Sequence, residues 1–144
     1  MAVVDASVWV ARFCKSDKFH EQAKNIFEFL DRSEETISIP VIAFTEVAGV
    51  IKRTTKDNGA ASAAIYEMKE MEMKVFTDFD KLEPLATDIA IKYSVKGMDA
   101  CYLAVAELTK SKLYTFDQQQ KEAFEIMVND KWLMVNEQPL PTNN

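Results

Sequence analysis

The opening stretch Ala2-Val3-Val4-Asp5-Ala6-Ser7-Val8-Trp9-Val10 decides the reading of the fold. Val3 and Val4, with Val8 to Val10 beyond Asp5, are apolar and mostly β-branched, without the alternation that exposes one face of a strand. They read as a buried first strand. A strand covered on both faces belongs in a parallel sheet with helices on either side, so the expected class is α/β. The segments that follow alternate accordingly. Phe19 to Asp31 carries apolar residues at 19, 23, 26, 27 and 30, the helical period. Thr36 to Ile39 reads as a second strand stopped by Pro40, which suits the first turn of a helix over 41–55. Asn58-Gly59 is expected to stop that helix. Further helices are expected over 60–72, over 82–93 (ended near Gly97), over 99–110 and over 118–128. Strands are expected over 73–76, 112–116 and 132–135. The helix over 99–110 is almost wholly apolar up to Ala106 and therefore central. One domain over residues 1–137 is expected, with a polar tail at 138–144.

Composition narrows the function. The 144 residues include 17 basic and 23 acidic side chains, for a net charge of −6. Such acidity at first argues against a nucleic-acid partner, because phosphate binding draws on surplus lysine and arginine. His20 is the only histidine, which excludes mechanisms needing two imidazoles, HExxH zinc hydrolysis among them. Cys14 and Cys101 lack CxxC spacing and read as reduced thiols. Neither a leader pattern nor a membrane-length apolar run is present, so a cytoplasmic, soluble protein is expected.

Four carboxylates stand where carboxylates are costly or positioned. Asp5 interrupts the apolar first strand; it either caps the turn that follows, with Ser7 as a further backbone partner, or faces a polar cleft. Asp117 follows a strand and precedes a helix, an N-cap position. Asp99 opens the apolar helix, again as a cap or a first-turn acid. Glu46 flanks the apolar stripe of its helix, with Arg53 on the same face, and is either a solvated surface acid or part of a site. In an open parallel sheet, Asp5 and Asp117 both fall at carboxyl ends of strands, where ligands bind. Carboxylates converging without histidine or cysteine suit Mg²⁺ or Mn²⁺ rather than zinc.

Val3-Val4-Asp5-Ala6-Ser7, Phe44-Thr45-Glu46-Val47, Met98-Asp99-Ala100-Cys101-Tyr102-Leu103-Ala104 and Tyr114-Thr115-Phe116-Asp117 occur in that order. Together they resemble the motifs of PIN-domain ribonucleases, in particular the VapC toxins of toxin–antitoxin pairs. The resemblance implies a three-layer α/β/α fold with a central, mainly parallel sheet. It implies a metal-dependent endoribonuclease in which Asp5, Glu46, Asp99 and Asp117 hold Mg²⁺ or Mn²⁺. Ser7 and Thr115 match small hydroxyl positions beside those acids. Lys96 stands where the toxin branch often has a basic residue. Gln118-Gln119-Gln120 follow the fourth aspartate, where many relatives carry another acid. The products implied are a 5′-phosphate and a 3′-hydroxyl, and the partners implied are a small antitoxin and a second copy of the chain.

Substrate grip must then come from local charge. Arg12, Lys15 and Lys18 after the first strand, and Lys52, Arg53 and Lys56 after Glu46, either line an RNA path or are ordinary surface cations. Trp9 and Phe13 either stack bases or pack the core. The Ala- and Met-rich helix over 60–72 is either an interface or packed on its own domain. Two other classes compete. A haloacid dehalogenase-type phosphohydrolase needs a second aspartate where Ser7 stands, and a non-catalytic or RNA-processing PIN scaffold would keep the acids without turnover. If the four acids share one cleft, the rest of the chain carries only −2, and acidity becomes a property of the site.

Overall fold

The computed structural model describes residues 1–136, with side chains through residue 130. Its strands are β1 (Ala2–Val4), β2 (Ile37–Pro40), β3 (Met73–Phe76) and β4 (Lys112–Tyr114). Its helices are α1 (Ala6–Phe13), α2 (His20–Arg32), α3 (Ala43–Thr55), α4 (Asn58–Glu70), α5 (Phe79–Tyr93), α6 (Gly97–Thr109) and α7 (Gln118–Asn136). The four strands form one sheet in the order β3-β2-β1-β4, and every pairing is parallel. The order reverses direction after β3. Right-handed crossovers therefore put α1 to α4 on one face and α5 and α6 on the other. Burial agrees: β1 and β2 are buried at every position, as strands covered on both faces must be. Helix α6 packs on β1, β2 and β4, and α5 packs on α6. Its residues Ala100 and Tyr102 to Ala106 are buried, as the central position expected of this apolar stretch requires.

The first strand is shorter than its sequence suggests. It stops at Val4, and Val8 to Val10 lie in α1. The Asp5 carboxylate accepts the Ser7 N–H at 3.0 Å and turns the chain into a helix there. Val8, Trp9 and Val10 are all buried in that helix, so burial on several sides overrides the β preference of valine. A run of apolar residues cannot separate a buried strand from a buried helix, and the same ambiguity affects the other end of the chain. The strand expected over 132–135 is continued helix in α7. The tail expected at 138–144 lies outside the described residues.

Chain punctuation differs too. Asn58-Gly59 opens α4 instead of closing α3: Asp57 is the cap, accepting the N–H groups of Gly59 and Ala60 at 2.8 and 3.3 Å. Lys56, with φ at 58°, makes the left-handed stop of α3. Likewise Ser94 (φ 55°) ends α5, whereas Gly97 is the first residue of α6. Pro40 is the last residue of β2 rather than a helix starter. Helix α4 turns Ala61, Ala64 and Met68 inward and packs on α3, so these small residues and this methionine serve the domain's own core.

Candidate active site

Two parallel strands deliver the first parts of the site. Asp5 follows β1 and residues 115–117 follow β4, side by side in register. Strand β4 ends two residues earlier than the sequence pattern suggests, and this frees Thr115 and Phe116 from the ladder. The two strand ends are then tied by hydroxyls. Ser7 Oγ donates to Asp5 Oδ2 at 2.6 Å, and Thr115 Oγ1 donates to the same oxygen at 3.1 Å. In return Ser7 Oγ accepts the Phe116 N–H at 3.0 Å, and Thr115 Oγ1 accepts the Asp117 N–H at 3.0 Å. Each hydroxyl thus spends its proton on Asp5 and its lone pair on the loop that carries Asp117.

Asp5 is only 4% exposed. Burial raises its pKa, opposed by the hydrogen bonds from Ser7 and Thr115 and by the backbone of Ala6. Asp117 accepts the Gln120 N–H at 2.8 Å, so it caps α7 while remaining exposed. Cap and cleft, alternatives in the sequence, are both true of Asp5 and of Asp117.

Helices bring the other two acids. Glu46 lies in the first turn of α3 and Asp99 in the first turn of α6, where the helix dipole favours negative charge. Lys96, not Asp99, occupies the N-cap position of α6. All four acids line one cleft of about 440 Å³ with Ser7, Lys18, Phe19 and Phe116. Asp99 has its pKa raised to about 6, first by burial, then by the charges of Asp5, Asp117 and Glu46, with Lys96 opposing. Asp99 is thus within electrostatic reach of the other three carboxylates. Glu46 is raised by burial and by Asp5, against a hydrogen bond from Tyr102. Among the described residues none of the four is in an ion pair.

Three features of the cleft escape a reading of the sequence. Asp17, from the loop between α1 and α2, is a fifth acid in its wall. Tyr102, fully buried in α6, donates its hydroxyl to Glu46 Oε1 at 2.9 Å; burial and adjacent carboxylates hold it well above the ordinary phenol pKa, so it stays a donor. Gln120 is fully buried and donates Nε2 to the Asp99 carbonyl at 3.3 Å, while Gln119 donates to the Ser94 carbonyl at 3.2 Å. The glutamines that stand in place of a further acid therefore brace α7 against the start of α6. Of the three features, Tyr102 lies within a quoted motif and Gln120 within the glutamine run that follows Asp117; only Asp17 carried no signal in the sequence.

The basic candidates separate. Lys96 is close enough to Asp99 to offset part of its pKa rise, and Lys18 lines the cleft. Lys52 and Arg53, exposed in the last turn of α3, do not line it. Arg12 points elsewhere: it pairs with Glu67 at 3.4 Å and stacks over Phe27 at 4.5 Å. Trp9 is fully buried against Phe13 and Phe27 and is core. His20 donates Nδ1–H to the Ala11 carbonyl at 2.7 Å and takes no part in the cleft.

Oxygen donors without imidazole or thiolate fit a hard divalent cation, and crowded acids with raised pKa values gain most from one. Among the described residues no three acids, histidines or cysteines already stand close enough to share an ion. Nor is any described helix long and apolar enough to cross a membrane.

Comparison with known proteins agrees with this architecture. VapC20 of Mycobacterium tuberculosis, a toxin that cleaves the sarcin-ricin loop, superposes with a TM-score of 0.73 at 22% identity, over 85% of this chain and 95% of its own. PAE2754 of Pyrobaculum aerophilum superposes with a TM-score of 0.58 at 22% identity, over 85% of this chain and 83% of its own. Nothing among the curated proteins matches. The sequence model of the PIN domain matches residues 2–125, a span that contains every strand and all four acids, and the chain belongs to the PIN-domain family.

Proposed function

We propose that the chain is a metal-dependent endoribonuclease that hydrolyses RNA phosphodiester bonds, the toxin of a VapBC-type pair. The observation that carries this reading is the unpaired cluster of Asp5, Glu46, Asp99 and Asp117 at the carboxyl edge of the sheet in a PIN domain. The likeness to a toxin that cleaves RNA supports it. These four acids would hold Mg²⁺ or Mn²⁺. A bound divalent ion supplies positive charge to the phosphodiester and makes water a better nucleophile at neutral pH.

The chain's own residues set the stage for that chemistry. Ser7 and Thr115 fix one carboxylate oxygen of Asp5, and Tyr102 fixes one of Glu46, so these two acids are preorganised. Asp117 is the most exposed of the four acids and would adjust to close on an ion. Lys96 and Lys18 offer positive charge at the cleft for the RNA backbone. No histidine is needed. A small antitoxin protein and a homodimer belong with the same reading, in a cytoplasmic setting.

The test is cleavage of single-stranded and structured RNA by purified protein, with Mg²⁺ or Mn²⁺ against chelator. The expected result is metal-dependent cutting that leaves a 5′-phosphate and a 3′-hydroxyl. Cleavage that persists equally in Asp99→Ala would sink the assignment. No cleavage, with no thermal shift at millimolar Mn²⁺, would identify a non-catalytic PIN scaffold instead. A small open reading frame beside the gene would support the toxin role.

A further inference from the structure

The cleft has an aromatic wall that the carboxylates do not explain. Phe19 and Phe116 both line it, and their rings stack face to face with centroids 4.6 Å apart and planes 16° from parallel. Both rings are only partly buried. Each comes from a loop held in place for reasons of its own. Asp17 Oδ1 accepts the Phe19 N–H at 2.8 Å, and the Asp17 carbonyl accepts the His20 N–H at 3.0 Å, which pins the turn that presents Phe19. The Phe116 N–H is anchored on Ser7 Oγ, and Phe116 stands between Thr115 and Asp117. The second ring is thus on the residue next to a site acid. Beside the pair, Lys18 Nζ lies 5.0 Å from the centre of the Phe19 ring.

We propose that Phe19 and Phe116 form a ledge on which one nucleobase of single-stranded RNA stacks, next to the phosphate held at the acids, with Lys18 swinging onto the backbone. The proposal rests on the ribonuclease reading of the cleft and adds the feature that grips the chain. The physical reason is a division of labour. Carboxylates repel an RNA strand unless an ion intervenes, so affinity needs a contribution that is not electrostatic. Base–aromatic stacking is such a contribution, and it is tolerant of base identity because every base has a π-face. Paired rings with a pinned backbone lose little conformational freedom when a third ring joins the stack. Lysine is a compact charge on a flexible stem, able to exchange the ring for a phosphate.

The experiment uses the full chain and a short RNA scanned with abasic nucleotides, one position at a time, reading both binding in Ca²⁺ and cleavage in Mn²⁺. One abasic position adjacent to the cut should weaken binding roughly 5- to 150-fold, the range expected for one stacked base. Phe19→Leu should weaken binding of intact RNA by a similar factor, raise KM more than it lowers kcat, and abolish the penalty at that abasic position. Phe19→Tyr should restore both. The abasic scan needs no protein variant, so it decides even if Phe19→Leu folds poorly. RNA cut at wild-type rates with no position-specific abasic penalty overturns the ledge and leaves the nuclease standing. RNA bound with that penalty but not cut overturns the nuclease reading and leaves the ledge. RNA neither bound nor cut overturns both.

Discussion

Among the described residues two grooves invite comparison, and the larger of the pair is not the one that gathers the four candidate acids. The acidic cleft, about 440 Å³, lies where β1 and β4 end. A second groove of about 1240 Å³ is lined by the beginnings of β2 and β3, at Ile37 and Met73, with Arg12 and His20 above them. Both carry acids. In the larger groove charges of both signs are interspersed and partly paired: Arg12 with Glu67, and the chain's amino terminus with Glu35 at 2.7 Å. In the smaller one the acids crowd each other, and Asp99 rises to about 6, through burial first and then through the charges of Asp5, Asp117 and Glu46. The difference lies in topology. The carboxyl edge of a parallel sheet combines strand ends with helix N-termini, whose dipoles offset part of the repulsion among acids gathered there.

The largest expected break in this contrast is Asp99→Asn. On the proposed reading of Asp99 as a cation ligand, we expect RNA cleavage to fall by at least ~100-fold. The same change should raise the melting temperature of metal-free protein at pH 7.5. Because Asp99 has its folded-state pKa raised to about 6 from 3.8, the folded chain binds that proton more tightly than the unfolded chain. The Asp99 contribution to metal-free stability is therefore fully present below the unfolded pKa and is lost as pH rises through 6. A cation competes with the proton, so stabilisation by Mn²⁺ should be small at pH 5 and full above pH ~7. Melting curves across pH, with and without Mn²⁺, check both signs. A Mn²⁺ shift that is unchanged in Asp99→Asn would separate metal binding from this cleft.

A sharper probe is Tyr102→Phe. It removes the hydroxyl that holds Glu46 and little else, so cleavage at limiting Mn²⁺ should drop ~10-fold. Saturating Mn²⁺ should restore most of it, whereas a purely structural role would lower stability without that dependence on metal. The smallest effect belongs to the other groove. Arg12→Ala should leave kcat and KM for RNA unchanged while costing about 1 kcal/mol of stability, through loss of the Phe27 stack and the Glu67 pair. Denaturant unfolding together with a cleavage assay distinguishes the two; a rise in KM would return Arg12 to the RNA path.

How far the sequence could be read depended on the range of the physics involved. Helices such as α2 and strands such as β3 were legible, because periodicity is a local property of the chain. Val8 to Val10 and residues 132–135 were misread for the same reason: a short apolar run satisfies a buried strand and a buried helix equally. Asn58-Gly59 and Gly97 show that turn residues mark a boundary without saying which side of it they serve. Asp5 and Asp99 stood out because an acid in an apolar strand, or at the start of an apolar helix, demands a reason; Glu46 and Asp117 joined them through the resemblance to PIN-domain motifs. The placement of Arg12, Lys52 and Arg53 outside the cleft was not legible, because long side chains take their positions from neighbours on other elements.

The sequence by itself determined the α/β alternation and the exclusion of mechanisms that need two imidazoles, because both follow from residue type and local spacing; it offered the four acids as candidates. Tertiary structure alone decided what those acids meet. It brought Thr115 across two strands onto the Asp5 oxygen that Ser7 holds locally, Tyr102 onto Glu46 across two helices, and Phe19 onto Phe116 across two loops. The partners in the last two contacts, and Thr115 in the first, are separated by 56 to 110 positions in the chain or meet only as loops, and no local pattern encodes such encounters. They exist because a parallel sheet gathers its strand ends along a single edge, whatever their order in sequence.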